Sequence, residues 1–157
     1  MRQRIYIETT IPSFYYETRK EPEMVARRIW TRHWWDNAKK NYELISSAPV
    51  IDELARGNYT TKKKTLQLMD DIKLVSVEKP VLDIVQIYIQ NNVMPNDPLG
   101  DALHLALASF HKCDYLLTWN CRHLANANKF QHIKRVNAML DLYVPMLITP
   151  LELIEGE

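Results

Sequence analysis

The chain has 157 residues, 46% of them hydrophobic and 25% charged, a length and apolar content suited to one domain, residues 1–157, around a real core. Twenty basic residues stand against nineteen acidic ones for a formal charge of +1, which excludes nucleic-acid or membrane binding driven by overall charge and leaves only local binding. No apolar run approaches a membrane span, and Met1-Arg2-Gln3-Arg4 leads straight into Ile5-Tyr6-Ile7 without the apolar segment of a secretory leader, so a soluble, cytoplasmic protein with no membrane partner is expected.

Apolar strand-like runs alternate with helical patterns along the chain. Residues 5–7 read as a first strand, and 23–40 as a helix with Ala26, Ile29, Trp30 and Trp34 at helical spacing. A strand at 42–46 feeds a helix opened by Ser47, with Pro49 in its first turn and 52–56 in its body, ended by Gly57-Asn58. A helix over 60–70, a strand over 73–77 and a helix over 81–91 follow. Asp97-Pro98 reads as an N-cap and first-turn proline of a helix reaching Lys112. Residues 115–118 form a β-rich apolar run directly after that helix; a helix over 129–142 and a last strand at 146–148, between Pro145 and Pro150, complete the chain. The alternation predicts an α/β fold with a largely parallel sheet. Cys113 and Cys121 lie eight apart without a CxxC pair or a His/Cys cluster, so two reduced thiols are expected, not a zinc site or a disulfide framework.

Open parallel sheets bind ligands beyond the carboxyl ends of their strands. Glu8 follows the first strand, Asn120 follows the strand at 115–118, Asp101 falls in the first turn of its helix, and Glu53 is placed early in its own. All four can reach one cleft. Three carboxylates held together repel and raise one another's pKa values unless a cation neutralises them. Oxygen ligands without a His/Cys cluster favour Mg²⁺ or Mn²⁺ over zinc. Mg²⁺ takes one or two protein carboxylates and completes its shell with water and phosphate oxygens, so phosphoryl chemistry is the expected use.

Several residues have blander readings. Asp97 reads as an N-cap, and Asp52 points about 100° from Glu53 on a helix and so toward solvent. Asp114 precedes its strand, at the wrong end of the sheet. His104 shares a face with Asp101, either as a hydrogen-bonded structural histidine or as a substrate contact. Trp30, Trp34, Trp35 and Phe14-Tyr15-Tyr16 read as core and interface, with part of the tryptophan face covered by a second subunit or a partner helix. Lys62-Lys63-Lys64 reads as a solvated helix face.

Four motifs in this order resemble a known family: the strand-acid-Thr opening at Glu8-Thr9, the Ser47 to Glu53-Leu54 segment, the Asp-Ala-x-x-x-Ala-x-Ala run from Asp101 to Ala108, and Leu-x-Thr-x-Asn-x-x-x-Leu from Leu116 to Leu124. They look like the PIN domain, most closely the VapC-type toxins of bacterial toxin–antitoxin systems. The resemblance covers almost the whole chain. It implies a three-layer α/β/α sandwich, a Mg²⁺- or Mn²⁺-dependent ribonuclease, a homodimer, and inhibition by a cognate antitoxin. Glu8, Glu53 and Asp101 then hold the metal and act in catalysis with Asn120, which positions water or phosphate. Thr9 and Thr118 match the family's hydroxyl positions, and His104 and His123 are possible RNA contacts. Two positions depart from the pattern. The first acid is Glu8 where Asp is usual, and Asn120 is followed by His123 where members with Asn often place an acid. A degenerate module that binds RNA or a protein without cleaving it is the alternative.

Overall fold

A computed structural model describes residues 2–94 and 100–154. The Asp97-Pro98 cap lies outside the described residues. Five strands, β1 (Arg4–Ile7), β2 (Glu43–Ser47), β3 (Lys73–Val75), β4 (Tyr115–Leu117) and β5 (Met146–Ile148), form one all-parallel sheet in the order β3-β2-β1-β4-β5. Central β1 is buried on both faces at Ile5, Tyr6 and Ile7, as the continuous apolar run of a covered parallel strand requires.

Seven helices connect the strands: α1 (Thr10–Tyr15), α2 (Pro22–Asn37), α3 (Ala48–Ala55), α4 (Lys62–Leu68), α5 (Lys79–Gln90), α6 (Asp101–Phe110) and α7 (Ala127–Met139), with 3₁₀ turns at Lys39–Asn41 and Pro150–Leu153. From β1 to β3 the chain moves one way across the sheet, and from β3 through β4 to β5 the other. Right-handed crossovers therefore put α1 to α4 on one face and α5 to α7 on the opposite one. The contacts agree: α1 packs on α2 and α4, and α3 on α4, while α5 packs on α6. Buried Tyr88, Ser109 and Asn137 tie α5, α6 and α7 by hydrogen bonds of 2.5 to 3.2 Å. The result is the PIN-like α/β/α sandwich that the motifs imply. Its strand order reverses between β1 and β4, the switch point at which such sheets open a crevice.

Three expectations are corrected. Helix α1 was not expected in Thr10-Ile11-Pro12-Ser13-Phe14-Tyr15, which is too short for a periodic signal; it exists because Ile11, Pro12 and Phe14 are buried. Glu53 lies in the closing turn of α3, whose helix ends at Ala55, instead of near its start. Trp34 and Trp35 are 0% and 3% exposed, so the aromatic face of α2 belongs to the chain's own core. Trp30 is partly buried and stacks on Trp119. Neither Cys113 nor Cys121 is in a disulfide, and burial pushes the Cys113 thiol up to about 12. Among the described residues no helix is long and apolar enough to cross a membrane.

Candidate active site

The parallel ladder runs one residue past the strands and delivers the first site residues side by side. Glu8 N donates to Leu117 O at 3.2 Å and Thr118 N to Ile148 O at 2.9 Å, so Glu8 and Thr118 sit at the carboxyl ends of β1 and β4 across the switch point. Alternation along the strand puts Tyr6 and Glu8 on one face. That face receives α6, whose first residue is Asp101 and which carries His104 one turn later.

Glu8 is 4% exposed. Its Oε1 accepts from Thr10 N at 3.2 Å, Thr10 Oγ1 at 2.5 Å and Thr118 Oγ1 at 2.6 Å. Burial raises its pKa, and the charge of His104 with the bonds from Thr10 and Thr118 offsets that only in part. A second chain of bonds reaches Asp101: Asn120 N donates to Thr118 Oγ1 at 2.9 Å, and Asn120 Nδ2 donates to Asp101 Oδ1 at 2.9 Å. Asn120 Oδ1 in turn accepts from His123 N at 3.0 Å. Asn120 thus joins Asp101 to Glu8 through Thr118.

Glu53 enters through a buried relay. Its Oε1 is 2.6 Å from His104 Nε2; His104 Nδ1 is 2.7 Å from Tyr6 Oη, which is 2.7 Å from Ser47 Oγ. Ser47 stands at the N-cap position of α3 without a capping bond, because its hydroxyl turns to Tyr6 instead. Burial lowers the His104 pKa, yet the bond to Glu53 and the charges of Glu8, Glu53 and Asp101 outweigh it and raise the pKa above the ordinary value. As an imidazolium, His104 donates from both nitrogens, to Glu53 and to Tyr6, and Tyr6 then donates to Ser47. The same histidine feels all three carboxylates, and when protonated it offsets part of their mutual repulsion.

Sequence reasoning missed three participants, Tyr6, Ser47 and Thr10. It singled out Thr9, whose Oγ1 is buried without a partner, whereas Thr10 holds Glu8. The signal for Thr10 was available, since a side-chain acceptor commonly bonds the backbone two residues on. Tyr6 and Ser47 carry no such signal, because tertiary contact alone brings them to His104. The expected bystanders lie apart: Asp52 is exposed, and Asp114 accepts from Arg4 N at 2.8 Å and Tyr143 Oη at 2.9 Å at the opposite end of β4. His123 reaches the site only through its backbone among the described residues.

No protein-family model matches the chain, and no curated protein does. A solved structure does. The crystal structure of FitAcB from Neisseria gonorrhoeae is similar to this chain at 20% identity and a TM-score of 0.50, over 74% of this chain and 88% of that one. The likeness shows the fold, an α/β arrangement of PIN type.

The donor set suits a hard divalent cation in kind. Glu8 Oε2, Glu53 Oε2 and Asp101 Oδ2 take no hydrogen bond among the described residues. As the side chains stand, no group of three or more described His, Cys, Asp or Glu residues is arranged to hold a metal ion. Mg²⁺ asks for only one or two carboxylates, the remainder of its shell being water and phosphate oxygen. The three carboxylates therefore fit Mg²⁺ or Mn²⁺ in donor chemistry, and protonated His104 would offset part of their charge while they are hydrogen-bonded as described.

Proposed function

We propose that this chain is a Mg²⁺- or Mn²⁺-dependent ribonuclease, the toxin of a toxin–antitoxin pair, acting as a homodimer restrained by a protein antitoxin. The observation that carries the reading is the hydrogen-bonded set Glu8, Thr118, Asn120 and Asp101, with Glu53 beside it on His104, at the switch point of a parallel sheet. Oxygen donors at one end of the sheet, one buried and two partly exposed, are of the kind used in metal-assisted phosphodiester chemistry. The four motifs supply the toxin and antitoxin assignment.

Glu8, Asp101 and Glu53 would hold the ion. When bound, it would lower the pKa of water and polarise the scissile phosphate. The chain's residues do the rest. Thr10 and Thr118 aim Glu8 by fixing its Oε1, so that only Oε2 turns to the ligand. Asn120 holds Asp101 from Nδ2 and keeps its amide plane set by the His123 N–H. His104 fixes the Glu53 carboxylate and offsets repulsion between the site and the RNA phosphate.

The test is cleavage of single-stranded RNA by the purified chain with Mg²⁺ or Mn²⁺ and with excess EDTA. Cleavage that depends on the ion and disappears in Asp101→Asn is expected; cleavage undiminished in EDTA would refute the metal assignment. A second reading, an RNA- or protein-binding module without turnover, is favoured by His104, which offsets part of the carboxylate repulsion without a metal. Tight RNA binding with no ion-dependent turnover would select it.

A further inference from the structure

We propose that Arg27 is a phosphate clamp for the RNA strand, its guanidinium held over the rings of Phe14 and Trp119 beside the candidate site; this rests on the ribonuclease reading above. Arg27 Cζ lies 5.6 Å from the Phe14 ring centroid and 5.3 Å from that of Trp119. Trp119 is itself fixed. Its backbone N–H donates to Thr10 Oγ1 at 2.8 Å, its indole N–H to Thr31 Oγ1 at 2.7 Å, and Trp30 stacks on it at 6.0 Å. Thr31 Oγ1 in turn donates to Arg27 O at 2.6 Å. One residue, Trp119, therefore links Arg27, through its ring, to the Thr10 hydroxyl that binds Glu8, through its backbone N–H.

Three arginines stack on rings in this region, and they differ in what their N–H groups do. Arg19 lies over Phe14, but its Nε and Nη2 donate to Glu17 at 2.7 and 2.9 Å. Arg32 lies over Tyr15 and donates from Nε to Tyr15 O at 2.6 Å. Among the described residues, the Arg27 guanidinium makes no hydrogen bond and no ion pair, although it is partly buried. A guanidinium held over aromatic rings is restricted in position, and its N–H groups can match two phosphate oxygens at once. The chain's charge of +1 supplies no general attraction for RNA, and three carboxylates next door repel it. A fixed cation beside them answers that repulsion, which favours a phosphate over an acidic protein segment as the occupant.

The experiment measures binding of a fluorescein-labelled single-stranded RNA to the full-length chain in EDTA, by anisotropy across a salt series. Arg27→Met keeps most of the packing and should bind about tenfold more weakly, with the slope of log K against log salt reduced by about 0.7, the share of one phosphate contact. Arg27→Lys should retain the wild-type slope while losing part of the affinity, because it keeps the charge without the planar fork. Arg135→Met removes an exposed charge from α7 and should change neither quantity. If Arg27→Met binds like the wild type, if Met and Lys lose affinity equally with unchanged slope, or if Arg135→Met loses as much, the clamp is refuted and the ribonuclease reading stands. Loss of binding to a protein partner with RNA binding intact would equally refute it. A wild-type chain that neither binds nor cuts RNA overturns the ribonuclease reading itself, and the clamp falls with it.

Discussion

Replacing His104 with glutamine tests whether the site carries its own counter-cation. His104 is 1% exposed, 2.6 Å from Glu53 and 2.7 Å from Tyr6 Oη. Removing one partner of a buried ion pair costs about 3–5 kcal/mol. Here Glu53 is 23% exposed, so water recovers part of that loss, and Gln keeps one hydrogen bond. The expected cost near pH 6 is about 2–3 kcal/mol, or about 4–12 °C in melting temperature for a chain of this size. The pH dependence is the sharper part. A pKa raised on folding means that His104 contributes in full below its ordinary value of 6.5 and loses that contribution as pH climbs through the folded value. Glu8, also raised, acts in the same direction from its ordinary 4.5 upward. The wild type in EDTA should therefore lose stability as pH rises from 6.5 to the folded value of His104, with a slope of up to about 1.4 kcal/mol per pH unit from His104 alone, while His104→Gln should lack that share and keep only the part that Glu8 contributes. Urea or thermal melts from roughly pH 5 to 9 measure both. A gap between the two proteins that stays constant, or widens toward alkaline pH, would refute the reasoning.

Asp101→Asn should abolish ion-dependent RNA cleavage while leaving the melting temperature in EDTA unchanged or higher, since it removes one of three neighbouring like charges; unfolding would assign it a purely structural role. Glu53→Gln should also abolish cleavage but lower the melting temperature in EDTA at about pH 6, because it leaves the buried His104 without its charged partner. Asn120→Asp replaces the donor that holds Asp101 Oδ1 at 2.9 Å with a fourth carboxylate, and should lower stability in EDTA by about 2 kcal/mol at an effective dielectric of roughly 40. Saturating Mg²⁺ should restore it and calorimetry should show tighter binding of the ion; the same melting shift with and without Mg²⁺ would put Asn120 outside the metal site. Trp34→Ala should cost about 3–5 kcal/mol in urea melts as a fully buried truncation, whereas Trp34→Phe should cost clearly less, because it also removes an indole N–H buried without a partner.

Strands were the most legible elements. The run at 146–148 coincides with β5, β1, β3 and β4 differ by one or two residues at one end, and β2 is shifted by one. Central β1, covered on both faces, leaves an uninterrupted apolar signature, whereas edge strands β3 and β5 are legible despite exposed residues such as Leu74 and Met146. Helix periodicity located α2 but not its burial. Trp34 and Trp35 are about 100° apart on the helix, and both are buried because Trp35 meets Tyr15 of α1 while Trp34 meets Tyr42 just before β2. The meeting of Glu8 and Asn120 was legible from topology, since residues just past β1 and β4 must meet at the switch point, whereas Glu53 comes from the far end of α3 and not from near its start. His104 was not. Its spacing from Asp101 put it on the right face, but a cation among three carboxylates follows only from Glu53 arriving from the far end of α3 and Tyr6 from β1.

The charge count that results bears on how many ions such a site would take. With all three carboxylates ionised and His104 protonated, the side chains would sum to −2, the charge that a single divalent ion cancels; a second ion would leave the pocket positive unless the substrate phosphate came with it. An acid at Asn120 would raise the total to −3 and accommodate more. With the amide there instead, Asp101 is held by a neutral donor, and repulsion is limited to groups that His104 can reach. The departure at Asn120 and the imidazolium at His104 thus balance each other. Together they let the carboxylates remain assembled without a metal, so that on the proposed function the ion is needed for chemistry but not for folding.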